Sequence, residues 1–513
     1  MLRFSKTVPL ALTTLCGALA APDPALGRAA EETLIINANL ISPERVEMLE
    51  DAWIRLDGER IIGVGSGLVD VGNAAVVDAS GGYVIPGLID SHVHLFHATG
   101  LRRGLTDDYQ ALYAAFQEQQ PRSYLFHGFT TLVELSSNPR VTAAFNATPR
   151  HPDVVHCGSW TVLSDGFMAL EEPVTERFPN YLIDHYADGH VPTGADPSAH
   201  TPRAIVEGVL DAGGRCVKLH YEEALWWPGG APEFRLPSVE IVRDVVNEAH
   251  ASGIPVVLHA TTPDGHRFGL EAGVDVFAHG MWEWPGQAFD APEPNAEIVA
   301  VADAVAASEI GLQPTIRTIR NTASMFDPTV LEDPAWNDVM PPAYMDYLRT
   351  DAQAQRDIFV DMFSSLLPEE RSSSDWPSMQ TAFSERYQNL IGSMVADGAN
   401  LLFATDTAVG GFGWASPPGL AGYWEMQALR DAGVPLATLF AALTINNARA
   451  FGLQDEIGTV EIGKRANLLI LRENPLADVT AYNSIDRIIL AGEVIERDTL
   501  SVWQLGEGVA DVR

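Results

Sequence analysis

Val84-Ile85-Pro86-Gly87-Leu88-Ile89-Asp90-Ser91-His92-Val93-His94 is the stretch on which the fold turns. A short apolar run ends at Pro86-Gly87, and a second run from Leu88 carries two histidines at its end. Alternate residues of a strand point to the same side, so His92 and His94 would face one point from one strand. That H-x-H spacing suits chelation of a single metal ion. Two histidines alone are also compatible with core packing, so their meaning depends on what the rest of the chain brings to the same place.

Downstream, short apolar runs alternate with helical stretches, the βαβα signature of a parallel sheet. Eight candidate strands follow: Leu88 to His92, Thr131 to Glu134, Val154 to Cys157, Cys216 to His220, Val256 to His259, Val274 to His279, Gly311 to Thr315, and Leu401 to Thr405. Ser238 to Ala251 and Ala296 to Ser308 read as two of the intervening helices. Eight such units over residues 86–454 predict an α/β fold, a (β/α)8 TIM barrel. A doubly wound open sheet is the alternative, but no Gly-rich phosphate loop follows the first strand. Two inserts, near 160–203 and 317–392, follow strands three and seven, where long βα loops would cover an active site. Upstream, Thr33 to Asn37, Ala52 to Leu56 and Arg60 to Val64 read as strands, and Asn467 to Leu471, Ile485 to Leu490 and Glu493 to Ile495 repeat the pattern. These predict a small composite β-sandwich domain from both chain ends, residues 32–85 and 455–500.

Further donors fall at strand ends. Lys218 lies in CVKLH, His259 ends PVVLH, His279 ends VDVFAH and Asp406 ends LLFATD. Barrel enzymes keep their catalytic groups at this end of the strands. Each histidine alone fits packing; together they read as a site.

Composition narrows the function. With 68 acidic against 32 basic residues the formal net charge is −36, a field that repels nucleic acid and anionic membrane surfaces. Neither is expected as a partner; a small-molecule substrate is, and a homo-oligomer stays open. Arg3 and Lys6, the apolar run Val8 to Ala20 and Ala18-Leu19-Ala20 read as a Sec-type signal peptide over residues 1–20. The mature protein is thus expected near Ala21, periplasmic or secreted. The run is too short to span a membrane. Leu15 before Cys16 is too bulky for lipoprotein attachment. Cys157 and Cys216, both in apolar runs, are expected as buried thiols.

The whole pattern resembles the amidohydrolase superfamily over about residues 32 to 500, in particular the branch of imidazolonepropionase-like enzymes, prolidases (Xaa-Pro dipeptidases) and ochratoxin-degrading amidases. The resemblance is carried by VIPGLIDSHVH, by GVDVFAHG from Gly273 to Gly280, by Ala404-Thr405-Asp406-Thr407, by Thr444 to Ala450 (TINNARA) and by Gly458 to Leu471 (GTVEIGKRANLLIL). The continuation His220-Tyr221-Glu222-Glu223 and the length of the second insert depart from that branch. The resemblance implies two divalent metal ions: one on His92, His94 and Asp406, the other on His259 and His279. It also implies Lys218 as a bridge, carboxylated by CO2 to a carbamate able to span ions roughly 3.5–4 Å apart. Glu222 or Glu223 is the rival bridge. Zinc is the first candidate, with manganese, cobalt or iron also suited. Asp406 would be the catalytic residue, taking a proton from the attacking water and passing it to the leaving group.

The expected function is therefore metal-dependent hydrolysis of an amide, peptide-like or cyclic C–N bond in a small molecule. A lactonase or phosphotriesterase on the same scaffold is the alternative, and a non-catalytic scaffold a third reading. Trp160, Trp226, Trp227, Trp282, Trp284 and Trp414 follow strand ends and favour an apolar or aromatic substrate group. Tyr221 is a candidate for assisting the oxyanion, Trp282 for substrate contact, and Arg317 or Arg320 for holding a substrate carboxylate.

Overall fold

A computed structural model describes residues 32–167, 180–225, 234–363, 367, 371–408 and 413–503. The proposed signal peptide, with Cys16, and Trp226 and Trp227 lie outside them.

The two chain ends meet in one sheet. Its strands are β1 (Thr33–Leu40), β2 (Leu49–Asp57), β3 (Arg60–Ser66), β4 (Ala75–Asp78) and β5 (Tyr83–Pro86). From the far end of the chain come β14 (Leu468–Leu471), β15 (Ile485–Leu490) and β16 (Glu493–Glu496). Alternation does the local work: β2 buries Ala52, Ile54 and Leu56 and turns the residues between them outward. Ile35, Leu40, Ile54, Val84, Leu468 and Ile489 then share an apolar cluster separate from the main core. Where a sandwich was expected, the strands run as one continuous mixed sheet in the order β16-β15-β14-β5-β1-β2-β3, with β4 beside β1. The reason is β5. It pairs in parallel with β1 and antiparallel with β14, and so joins the contributions of the two ends.

Among the described residues, eight parallel strands fill the middle. A three-stranded sheet holds β6 (Leu88–Val93), β7 (Phe129–Glu134) and β8 (Asp153–His156). A five-stranded sheet holds β9 (Val217–His220), β10 (Val256–His259), β11 (Val276–Ala278), β12 (Gly311–Gln313) and β13 (Asn400–Leu401), in sequential order. Hydrogen bonds link the sheets at both edges. Arg215 N donates to His156 O at 2.8 Å, and Asp406 N donates to His92 O at 2.8 Å. Helices follow the strands, with one face buried: Val239–Ala251 inserts Ile241, Val242, Val245, Val246 and Ala249, and Ser238 caps its first turn. Gly273, at φ 78°, ends helix Pro263–Ala272 in the left-handed conformation that glycine adopts without strain.

The second insert is helical, including Pro342–Arg349, Ala354–Phe363 and Trp376–Ala396. It buries Trp336, Tyr344, Trp376 and Tyr387 in the main core, so much of it is structural.

Cys157 and Cys216 correct the sequence reading: they form a disulfide, not two buried thiols. The residues are 59 positions apart in sequence, yet Cys157 leaves β8 just where Cys216 leads into β9, and their Cα atoms are 4.3 Å apart. Such a cross-link typically contributes about 2–4 kcal/mol.

Candidate metal centre

His92 and His94 leave β6 on the same side, as their spacing requires, and converge on Asp406 beyond β13. Asp406 Oδ1 is 3.2 Å from His92 Nε2 and 3.1 Å from His94 Nε2. All three residues are buried, and their ligating atoms lie within 4.8 Å of one another. Burial opposes the charge of Asp406, but the two imidazoles outweigh it and hold the carboxyl well below its usual range.

The neighbouring strands bring the remaining candidates alongside. The His279 ring is 5.1 Å from that of His92 and 4.9 Å from that of His259. Lys218 is 2% exposed, and its Nζ has no hydrogen-bond partner. Burial pushes its ammonium down to about 7, with Asp406 opposing. A buried, unpartnered amine close to Asp406, His92 and His279 fits a centre that holds a divalent cation on nitrogen and oxygen donors.

Several groups that orient these side chains were not singled out in the sequence. Asp90 accepts from Thr405 N at 3.1 Å and Thr405 Oγ1 at 2.6 Å, pinning the ends of β6 and β13 together. Glu134 stands 3.5 Å from His94 Nδ1 and accepts from Ser136 N at 2.7 Å. Thr315 Oγ1 lies 2.7 Å from His279 Nδ1. A signal for both acids was present: each is a charge inside an apolar strand, which is costly unless its bonds are satisfied. His279 (φ 84°), Thr315 (φ 47°) and Asp406 (φ 58°) occupy the left-handed region. For non-glycine residues such backbone costs of order 1–3 kcal/mol each and gathers at functional sites.

The candidates for substrate contact divide. Trp282 is brought to the site, its ring 4.6 Å from His279. Trp160 stands edge-on to His94 at 5.9 Å, and Phe167 is parallel to His259 at 6.4 Å. Trp284 and Trp414 are buried in packing. Tyr221 turns away, against Phe268 at 4.7 Å, because the alternation that aims Lys218 and His220 inward aims it outward. Arg317 donates to Ala415 O at 3.2 Å and lies over Trp424, and Arg320 donates to Gln388. Neither arginine is brought to the histidines by these contacts.

A small, open cleft adjoins His220 and Glu222, walled by Val162, Leu163, Phe167, Leu236 and Pro237. No helix among the described residues is long and apolar enough to cross a membrane.

Residues 83–495 match the amidohydrolase family. An imidazolonepropionase of Alkaliphilus metalliredigens (strain QYMF) is 46% identical over 57 residues, 10% of this chain and 14% of that protein. The chain thus aligns with only about a seventh of that relative's length. The solved structure of a Xaa-Pro dipeptidase with bound methionine in the active site superposes with a TM-score of 0.61 at 18% identity, covering 91% of this chain and all of that one. The ochratoxinase of A. niger superposes with a TM-score of 0.60 at 19% identity, over 91% of this chain and 96% of its own.

Proposed function

The chain belongs to the amidohydrolase family, and from that premise we propose that it is a metal-dependent hydrolase of an amide or related C–N bond in a small molecule. The eight parallel strands are read as a closed (β/α)8 barrel, supported by the hydrogen bonds that join the two sheets at both edges. The observation that carries the function is the convergence of His92, His94 and Asp406, with the His279 ring beside that of His92, the His259 ring beside that of His279, and Lys218 Nζ buried and unpartnered.

In this reading His92, His94 and Asp406 hold one ion, and His259 and His279 hold the other. The Lys218 amine adds to CO2 through a new N–C bond and releases one proton. The resulting carbamate would be anionic and would offer the ions two oxygens. Burial favours this step, because the neutral amine is the form that reacts. Divalent ions held there would supply a water ionised near neutral pH and a Lewis acid for the scissile carbonyl. Asp406 takes the proton from the attacking water through one carboxylate oxygen and delivers it to the leaving nitrogen. Thr318 Oγ1, 3.3 Å from Asp406 Oδ2, keeps that carboxylate in register. Trp160, Phe167 and Trp282, each against a different histidine, form an aromatic wall suited to a flat apolar substrate group.

The test is a screen on chelator-stripped and metal-restored protein with N-acyl amino acids, Xaa-Pro dipeptides, lactones and phosphotriesters. Amide turnover that disappears on stripping and returns with about two divalent ions per chain is expected. Turnover of lactones or phosphotriesters with every amide inert would replace this reading with the alternative.

Export is proposed as well. The basic, apolar, small-residue start and the Cys157–Cys216 bond both suit an oxidising compartment. Expression in a Gram-negative host should yield periplasmic protein that begins near Ala21. Soluble cytoplasmic protein retaining Met1 would overturn it.

A further inference from the structure

Each histidine has two ring nitrogens, and its contacts decide which one is left to ligate an ion. In His92 and His94 Nε2 faces Asp406, their fellow ligand in the proposed first site, so Nε2 is the nitrogen turned to that ion. His279 commits Nδ1 to Thr315, which leaves Nε2. His259 differs. Its Nε2 is 2.7 Å from Glu222 Oε2, so Nδ1 is the nitrogen that remains.

Glu222 is unusual in its own right. Its side chain is 2% exposed, and among the described residues no lysine or arginine pairs with it. Glu283, 8% exposed, adds a second acid nearby, and burial together with Glu222 pushes its carboxyl well up. An ionised carboxylate in such surroundings is expensive unless positive charge reaches it. The backbone nevertheless holds it in place. Ala224, at φ 49°, donates its N–H to Glu222 Oε1 at 2.5 Å, and Tyr221 N donates to His259 O at 2.9 Å. Strand alternation from Lys218 through His220 brings Glu222 to the same side as the metal-facing groups.

We propose that Glu222 is the positioning residue of the second metal site, accepting the Nε2–H of His259 so that Nδ1 is bare and aimed at the ion. The charge of the ion, passed through the imidazole, compensates the buried carboxylate, and the carboxylate raises the basicity of Nδ1. Glu222 thus orients a ligand and is not the bridge. This inference rests on the two-metal reading above and adds the group that orients one ligand of the second site.

Apo protein titrated with Zn2+ against a competing chelator tests it. The wild type is expected to bind two ions. Glu222→Ala should leave one ion bound as before and weaken the other about 10–100-fold, the usual effect of losing such a partner. Glu222→Gln, whose amide oxygen still accepts from Nε2–H, should recover part of that loss. The melting temperature of the apo variants separates the outcomes. Both ions held as in wild type would overturn the proposal. So would both weakening together as the apo protein loses stability, which would mark a merely structural carboxylate. Wild type binding fewer than two ions would instead bring down the two-metal reading itself, and this inference with it.

Discussion

Replacing Lys218 with alanine is expected to lower kcat/KM by more than about 100-fold, the scale at which even the outer partners of metal ligands act. The side chain is 2% exposed and its Nζ has no hydrogen-bond partner, although it lies close enough to Asp406 for the carboxylate to oppose its loss of charge. In the proposed two-ion arrangement, its loss would leave three ligands for one ion and two for the other, with no anion between them. Metal content should therefore fall along with rate. A short carboxylate such as propionate, small enough to enter the space left by the side chain, should restore part of both. Full activity in Lys218→Ala would place the bridge elsewhere, and Glu222 would then be the group to examine.

Most strands were legible because strands buried on both faces read as uninterrupted apolar runs. Val256–His259 and Ile485–Leu490 fall where the sequence placed them. The errors have a common cause, since each depends on contacts between distant residues. The sandwich became one sheet because β5 takes partners from both chain ends. The disulfide was missed because local periodicity does not reveal which strand ends are neighbours. The last parallel strand was expected over Leu401 to Thr405, but regular pairing covers only Asn400–Leu401. Beyond it the side chain of Asp90 takes up the backbone N–H of Thr405, where a ladder bond would otherwise be expected.

At the site, spacing was a good guide wherever a strand was regular. The H-x-H pair and Asp406 come within 4.8 Å of one another, and the His279 ring stands beside those of His92 and His259. Past a strand end the same reasoning weakens. Tyr221 was chosen by type and proximity in sequence, but its parity with Lys218 already placed it on the far side. Arg317 was chosen for its charge, and a carbonyl and a tryptophan engage that charge elsewhere. The carboxylates of Asp90, Glu134 and Glu222 were the underread signal, each buried and each in contact with a histidine of the candidate site or its backbone.

Asp406→Asn should depress kcat by about 10²–10⁴-fold, the range supplied by a positioned general base, with a much smaller change in KM. The substitution keeps the shape of the side chain and one oxygen to face His92 and His94. It removes the negative charge that holds the two imidazoles and the basic oxygen that collects the proton. The hydrogen bonds from His92 and His94 that now hold the carboxyl ionised show how far the pocket is organised around that charge. Because proton transfer belongs to the transition state, the loss should appear in kcat and kcat/KM together. Metal analysis must accompany the kinetics. A variant that keeps both ions and loses turnover supports the shuttle, whereas one that loses an ion in proportion to its rate would reduce Asp406 to a ligand. Wild-type kcat in a fully loaded Asp406→Asn protein would rule out the proton-transfer role.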